Sequence, residues 1–587
     1  SQQALTLRIA QALDNTRGLI SAAALQVSSA SLDNQGGKLS AASGLNLSVE
    51  GALDNRMGEL LGQQVAVNAA ALNNRQGRIQ GDNRLTLSSL GAVDNGKGTL
   101  AAGQALTVTV ASLDNSAGKL TSDGTLTAQI SAGLLNQAGL FAADQALTLN
   151  AASLDNQANG RVTSKAGAQL EVGRLDNRGG RITSVGQLQV KGDELDNRQA
   201  GLLNSGEAMN LSIGKVDNRG GEVSSVTELT MTGRELDNSN AGRVLANSTL
   251  QLTLDRLNNQ LKGLVSAQQD VSLKAMRLDN SAQGSLYAKR NLNVTLAGHA
   301  DNSQGVMRSD AALQLRSASL GNNGGRISSG GALLLSAANG LANQNGEVLS
   351  ADTATVKADS VDNSQGRIVA DGALQLTTGV LLNQHQGRVT SADRLNLTAT
   401  DVDNRFEGRI ASDQALNASL TSLDQRGAGE FYSNSELTLD MNQGHLNNAD
   451  GFINAPGQLL LKNLKSVDNR NGEISSAKAF ALSAGTLDNS GGNVLSDQGL
   501  TLKIEQVLLN VKGLISAVGV ELDATRLDNR EGKISSVRDA RLAVNADLLN
   551  DQGEIVSAGH TQLKAASLSN TAGQVLGDVS LDVKVKG

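Results

Sequence analysis

The stretch "LDNRGGRITS", Leu175–Ser184, is matched closely by "LDNREGKISS", Leu527–Ser536, and its parts return along the whole chain. With the Asn of "LDN" as marker, copies fall at Asn15, Asn34, Asn55, Asn74, Asn95, Asn115, Asn136, Asn156, Asn177, Asn197, Asn218, Asn238, Asn259 and Asn280, and continue to Asn570. Counting Gln425, which stands in the marker position once, there are 28 units at intervals of 19 to 23 residues. A period of this size, kept over an entire chain, is the mark of a solenoid.

Each unit reads L-D-N-x-x-G-x-[ILV]-x-[SAG], then L-x-[LV], then the next L-D-N. Apolar residues recur every second position, which is strand spacing, and the regular Gly leaves no stretch long enough for a helical period. Two residues before the marker, 27 of 28 units carry Leu or Val, with Ala300 the exception. That side chain points inward, the following Asp outward and the Asn inward again. A buried amide needs partners, and identical Asn residues one strand spacing apart can bond to each other and to turn backbone as a ladder. Gly follows the marker at the third position in 20 units and at the fourth in eight. This predicts either a backbone with φ above zero or a close approach of neighbouring coils. Two residues past the Gly comes an inward aliphatic, as in Ile182, and two further on a small residue such as Ser184 turns a tight corner.

The expected fold is therefore all-β: a right-handed parallel β-helix, a solenoid of about 28 coils of 19–23 residues, forming one continuous repeat domain over 1–587. At ~4.8 Å per coil it would be a rod of roughly 130 Å. The chain opens inside the pattern and neither end reads as a cap, so it is expected to be an internal fragment of a longer protein.

Composition agrees with an aliphatic solenoid. Only seven residues are aromatic and Pro456 is the sole proline, yet the chain is rich in Leu, Ala, Val and Ile, unlike a disordered sequence. The net charge is −7 with both signs interspersed, so no basic stripe points to nucleic acid. Without cysteine there is no disulfide, thiolate metal site or cysteine nucleophile. No apolar run approaches the length of a membrane span.

"LDNRGGRITSVGQLQVKGDELDNRQAG" resembles the haemagglutinin-type repeats of filamentous haemagglutinin and of contact-dependent growth inhibition exoproteins, and the likeness runs through essentially all 587 residues. The resemblance implies a β-helical shaft exported through an outer-membrane two-partner secretion pore. It implies display on the outside of a Gram-negative cell, where such a shaft adheres or holds a toxin tip away from the surface. The "NPN" motifs of the family's secretion domain are absent, as is any toxin-like region that breaks the repeat. A cell-surface receptor or glycan is the implied partner, and a monomeric filament without stable membrane insertion the implied state.

No catalytic, cofactor or metal site is expected. Asp precedes the marker in 18 units and forms an outward acidic column, to be weighed as a cation site against an ordinary solvated turn. His299, His385, His445 and His560 are scattered without ligand spacing. The segment 405–480 departs most from the pattern and holds five of the seven aromatics. Phe431 and Phe480 fall at inward parity, whereas Phe406, Tyr432 and Phe452 form a candidate interaction patch. Two other functions compete with the shaft: a polysaccharide-active β-helical enzyme, disfavoured by the lack of long loops to wall a cleft, and a membrane-active segment for toxin delivery. Polar outward residues such as Thr183, Ser224, Arg308 and Ser475 argue against the second.

Overall fold

A computed structural model describes residues 3–586, and every regular element among them is a β-strand. Two compact units, Ser1–Leu296 and Ala297–Gly587, are built on the same plan. Each is a stack of parallel coils, a parallel β-solenoid in which every strand pairs with its counterparts one repeat away.

A coil has three sides. The first is a four-residue strand after the motif Gly, such as Arg181–Ser184. The second and third run as one strand with a bend, such as Met209–Asp217. In the following coil the bend splits that strand, so Met209–Ser212 pairs with Leu229–Thr232 and Lys215–Asp217 with Glu235–Asp237. Register keeps like over like: Ile182 lies between Val162 and Leu203, and Leu175 between Leu154 and Leu195. These side chains are buried and fill the solenoid with a continuous aliphatic core. A single coil has no second layer of its own, so stacking is what removes this surface from water.

The corners explain the small residues. Ser184 Oγ donates to the Ala166 carbonyl oxygen of the preceding coil at 2.7 Å and lies 3.0 Å from the Gln187 carbonyl oxygen of its own. Both carbonyls also accept from backbone N–H groups, those of Gly186 and Ala168, so the hydroxyl adds a side-chain link between the turns of two successive coils.

The turn after the marker separates the two roles considered for Gly. In every unit the residue just before the motif Gly is the one in the left-handed region, and where the Gly comes fourth the two preceding residues share it. Arg17 at φ 54°, Lys97 at 56° and Glu531 at 55° are examples. The motif Gly itself is needed for close approach. A Cβ on Gly180 would stand 2.7 Å from Asn177 Oδ1 and nearer still to the Asn156 carbonyl oxygen. Its own N–H closes the turn onto the Asn177 carbonyl at 3.0 Å.

Two substitutions should move stability in opposite directions. Gly180→Ala drives a Cβ into backbone and should cost about 3 kcal/mol or more. Lys97→Gly removes a left-handed L-residue and should add about 1 kcal/mol. Hydrogen exchange of the flanking coils, with denaturant unfolding of the whole chain, measures both.

Candidate functional site

The most extensive constellation of functional groups is the Asn column, which is structural in its chemistry. In the first unit each Nδ2 from Asn15 to Asn259 donates to Oδ1 of the next marker at 2.7–2.8 Å, without a break up to Asn280. The same chain runs through the second unit from Asn302 to Asn570. Gln425 joins it with slightly longer bonds, accepting from Asn404 at 3.1 Å and donating to Asn448 at 3.0 Å. Almost every member is fully buried.

Each Asn amide also reaches backbone. Asn177 Nδ2 lies 3.2 Å from the carbonyls of both Gly180 and Leu202, so one side chain ties its own turn to the next coil. All the donors point towards the C-terminal neighbour, and aligned amides polarise one another.

Outside the ladder, the Asp column is engaged by its neighbours. Asp176 Oδ1 accepts from the Arg178 N–H at 3.2 Å, closing an Asx turn, while the Arg178 guanidinium grips the same carboxylate and approaches Asp196 of the next coil at 3.5 Å. Arg198 bridges Asp196 to Asp217, and Arg219 bridges Asp217 to Asp237, so charges alternate across four coils. Asp403, Arg405, Asp424 and Arg426 repeat the device in the second unit. Partial burial pushes the Asp217 and Asp424 carboxyls up. Bonds from the flanking Arg residues, with their charge, outweigh burial and hold both below the usual carboxylate range. Among the described residues no group of three or more His, Cys, Asp or Glu is placed to hold a metal ion.

The four His residues are far apart. His299, His445 and His560 each share a hydrogen bond with a Ser of the next coil, at 2.6–2.8 Å. His385 instead stacks on Phe406, with centroids 5.0 Å apart. Phe406 sits in the left-handed turn after Asn404, half exposed, with Arg405 5.4 Å from its ring. Tyr432 and Phe452, one coil apart on the short-strand side, meet edge to face at 6.4 Å. Arg409 lies 4.7 Å from the Tyr432 ring, its Nε buried without a hydrogen-bond partner. Phe431 and Phe480 are in the core. The proposed patch therefore consists of two clusters, Phe406 with His385 and Tyr432 with Phe452. The alternation of apolar and polar residues does not mark the companions His385 and Arg409: His385 precedes Phe406 by one repeat of 21 residues, and Arg409 precedes Tyr432 by one repeat and two residues.

The family model described as the haemagglutinin repeat matches residues 3–56, 61–97, 81–138, 124–192, 146–212, 183–233, 216–283, 277–337, 330–399, 382–463, 438–550 and 515–586. No curated protein and no solved structure matches the chain.

Two perturbations test this description. Asn177→Ala orphans Asn197 Oδ1 in the core and takes from Asn156 Nδ2 the shortest of its three bonds. It should destabilise the surrounding coils by about 1–3 kcal/mol, read as faster hydrogen exchange on both sides of the substitution. Acid should also loosen the units. Asp217 and Asp424 have depressed folded pKa values, so the stability they lend is complete above ~4, the unfolded carboxylate value, and is lost as pH falls through the lower folded ones. A pH series of unfolding midpoints between 6 and 2 checks the direction, and Asp217→Asn should flatten it.

Proposed function

Because the chain belongs to the haemagglutinin-repeat family, we propose that it is the structural shaft of a secreted, surface-displayed filamentous adhesin or contact-dependent inhibition exoprotein. Haemagglutinin repeats are typical of secreted, surface-exposed proteins, and the β-solenoid fits a filamentous, adhesin-like shaft. The family points to a structural rather than an enzymatic protein.

The observation that carries this reading is uniformity. In both units the Asn column continues from coil to coil and, among the described residues, no long loop interrupts the stack, so the fold is specified for extension rather than for enclosing a substrate. On this reading the shaft carries a distal receptor-binding or toxin-bearing region away from the producing cell. It leaves that cell unfolded through an outer-membrane two-partner secretion pore, a route favoured by the absence of cysteine. Folding outside can then proceed coil by coil, each added coil satisfying the ladder position before it.

A shaft of this kind should tolerate changes of length only in whole coils. Deleting 178–197 joins Asn177 to a following "RQAG" turn in phase and should leave the thermal transition close to that of the parent. Deleting 178–187 removes half a coil and should abolish cooperative unfolding in the flanking coils. Fused to a displayed binding tip on a bacterial surface, the in-phase series should lower capture by a tethered partner stepwise as coils are removed. Capture that does not depend on coil number would overturn the reach function.

A further inference from the structure

In the second unit, a groove of about 710 Å³ follows the bend between the second and third sides of the coils from Gln443 to Asn545. Its floor is Leu464, Ala484 and Ile504, in register one above another and nearly buried. One wall carries Ser483, Lys503 and Asp523 in register, and the facing wall His445, Ser466 and Thr486. The groove spans about five coils at ~4.8 Å each. Its charged groups balance, with Lys465 and Lys503 against Glu505 and Asp523.

The backbone also departs from the repeat at the same place. Among the described residues, only Asn442, Gln443 and Asn463 are left-handed outside the repeating turn. They belong to the 23-residue unit and the one after it, where the pairing register slips between Asp440 and His445. Asp440 holds this departure in place: its Oδ1 accepts from the Asn442 N–H at 3.0 Å and from Asn463 Nδ2 at 2.8 Å. The extra residues thus build the groove's end and set Gln443 and Asn463 at its edge. Strain maintained by specific bonds beside a cleft is the pattern of a site held for a ligand.

Resting on the surface-adhesin reading above, we propose that this groove binds an extended, uncharged oligosaccharide. A pyranose chain offers many hydroxyls along its length to walls of amides, hydroxyls and paired charges, above a floor whose Leu464, Ala484 and Ile504 side chains are nearly buried. Balanced charge selects against polyanions. An extended peptide would find no strand edge here, because strands on both sides of the bend already pair with the coils above and below. The corresponding bend in the first unit has a different lining: Gly173, Gly192, Gly214 and Gly233 occupy it, and Glu171 and Lys191 pair with each other at 3.2 Å.

The test uses the full chain and calorimetric titration with unmodified hexasaccharides of β-1,4-linked glucose, N-acetylglucosamine and mannose, a sulfated hexasaccharide, and a polar decapeptide. At least one neutral hexasaccharide should bind, and Ser483→Trp and Thr486→Trp, both on the exposed walls, should each weaken it at least tenfold. Asp523→Arg provides a third variant that adds no bulk to the floor, and unchanged thermal melts establish folding. Lys191→Trp, in the first unit, should leave binding unaltered. Failure of all three neutral probes, binding that survives the groove substitutions, or binding only of the sulfated probe or peptide would overturn the proposal. The shaft reading stands or falls separately, on the dependence of capture on coil number.

Discussion

The buried side-chain amide at each marker position is the constraint on which the rest of the fold depends. An amide inside an aliphatic core costs more than it returns unless all its hydrogen-bonding capacity is used. A lone Asn177 could not meet that demand, but between Asn156 and Asn197 it is satisfied on both sides, and its remaining donor capacity goes to the carbonyls of two turns. The ladder therefore penalises any coil that is out of phase, which makes it a device for register as much as for stability. The requirement also explains the motif Gly, since a side chain at Gly180 would occupy space taken by the amide and by the carbonyl of the previous coil.

Around this fixed column the other positions have more freedom, and they use it in stretches. The outward charges alternate with Arg in one run of coils and are replaced by Leu or Ser in others, as at Leu135, Leu509 and Ser569. Partly exposed ion pairs of this kind contribute little singly and are screened by salt. What they add is alignment: an Arg that bonds its own Asp and reaches the next reinforces the phase already imposed by the amides. The left-handed residue before each Gly shows the same hierarchy. Six units place a Gly in this left-handed stretch, such as Gly179 and Gly491, while most accept the strain of an ordinary side chain. The geometry of the turn takes precedence over local preference.

Departures from the repeat are where specific surface chemistry appears. Gln425 keeps the ladder intact with a longer side chain, and the 23-residue unit that follows absorbs its additional residues at the bend rather than in the core. Aromatic side chains cluster in the same region of sequence, some filling the core as Phe431 does, others meeting cations on the outside as Tyr432 does. A solenoid can vary its exterior in this way without weakening the stack, because inward and outward positions alternate and are nearly independent.

The period of "LDN", the alternation of Leu175, Asn177 and Ile182, and the constancy of Gly180 by themselves determined the strand content, the stacked coils and the buried Asn column, since each is a local pattern repeated until no other arrangement buries it. Which of two duties the Gly performs was open in sequence, because a turn with positive φ and a close backbone approach leave the same residue behind; only the packed turn assigned the first to Lys97 or Arg17 and the second to Gly98 or Gly18. Tertiary structure likewise decided that Phe406 and Tyr432 belong to separate clusters, that Arg178 joins two Asp residues 20 positions apart, and that Gln443 and Asn463 border one groove. The physical reason is common to all three. Contacts along the stack join residues about one repeat apart, and whether two outward side chains meet depends on rotamers and on the angle of a bend, neither of which the alternation of apolar and polar residues encodes.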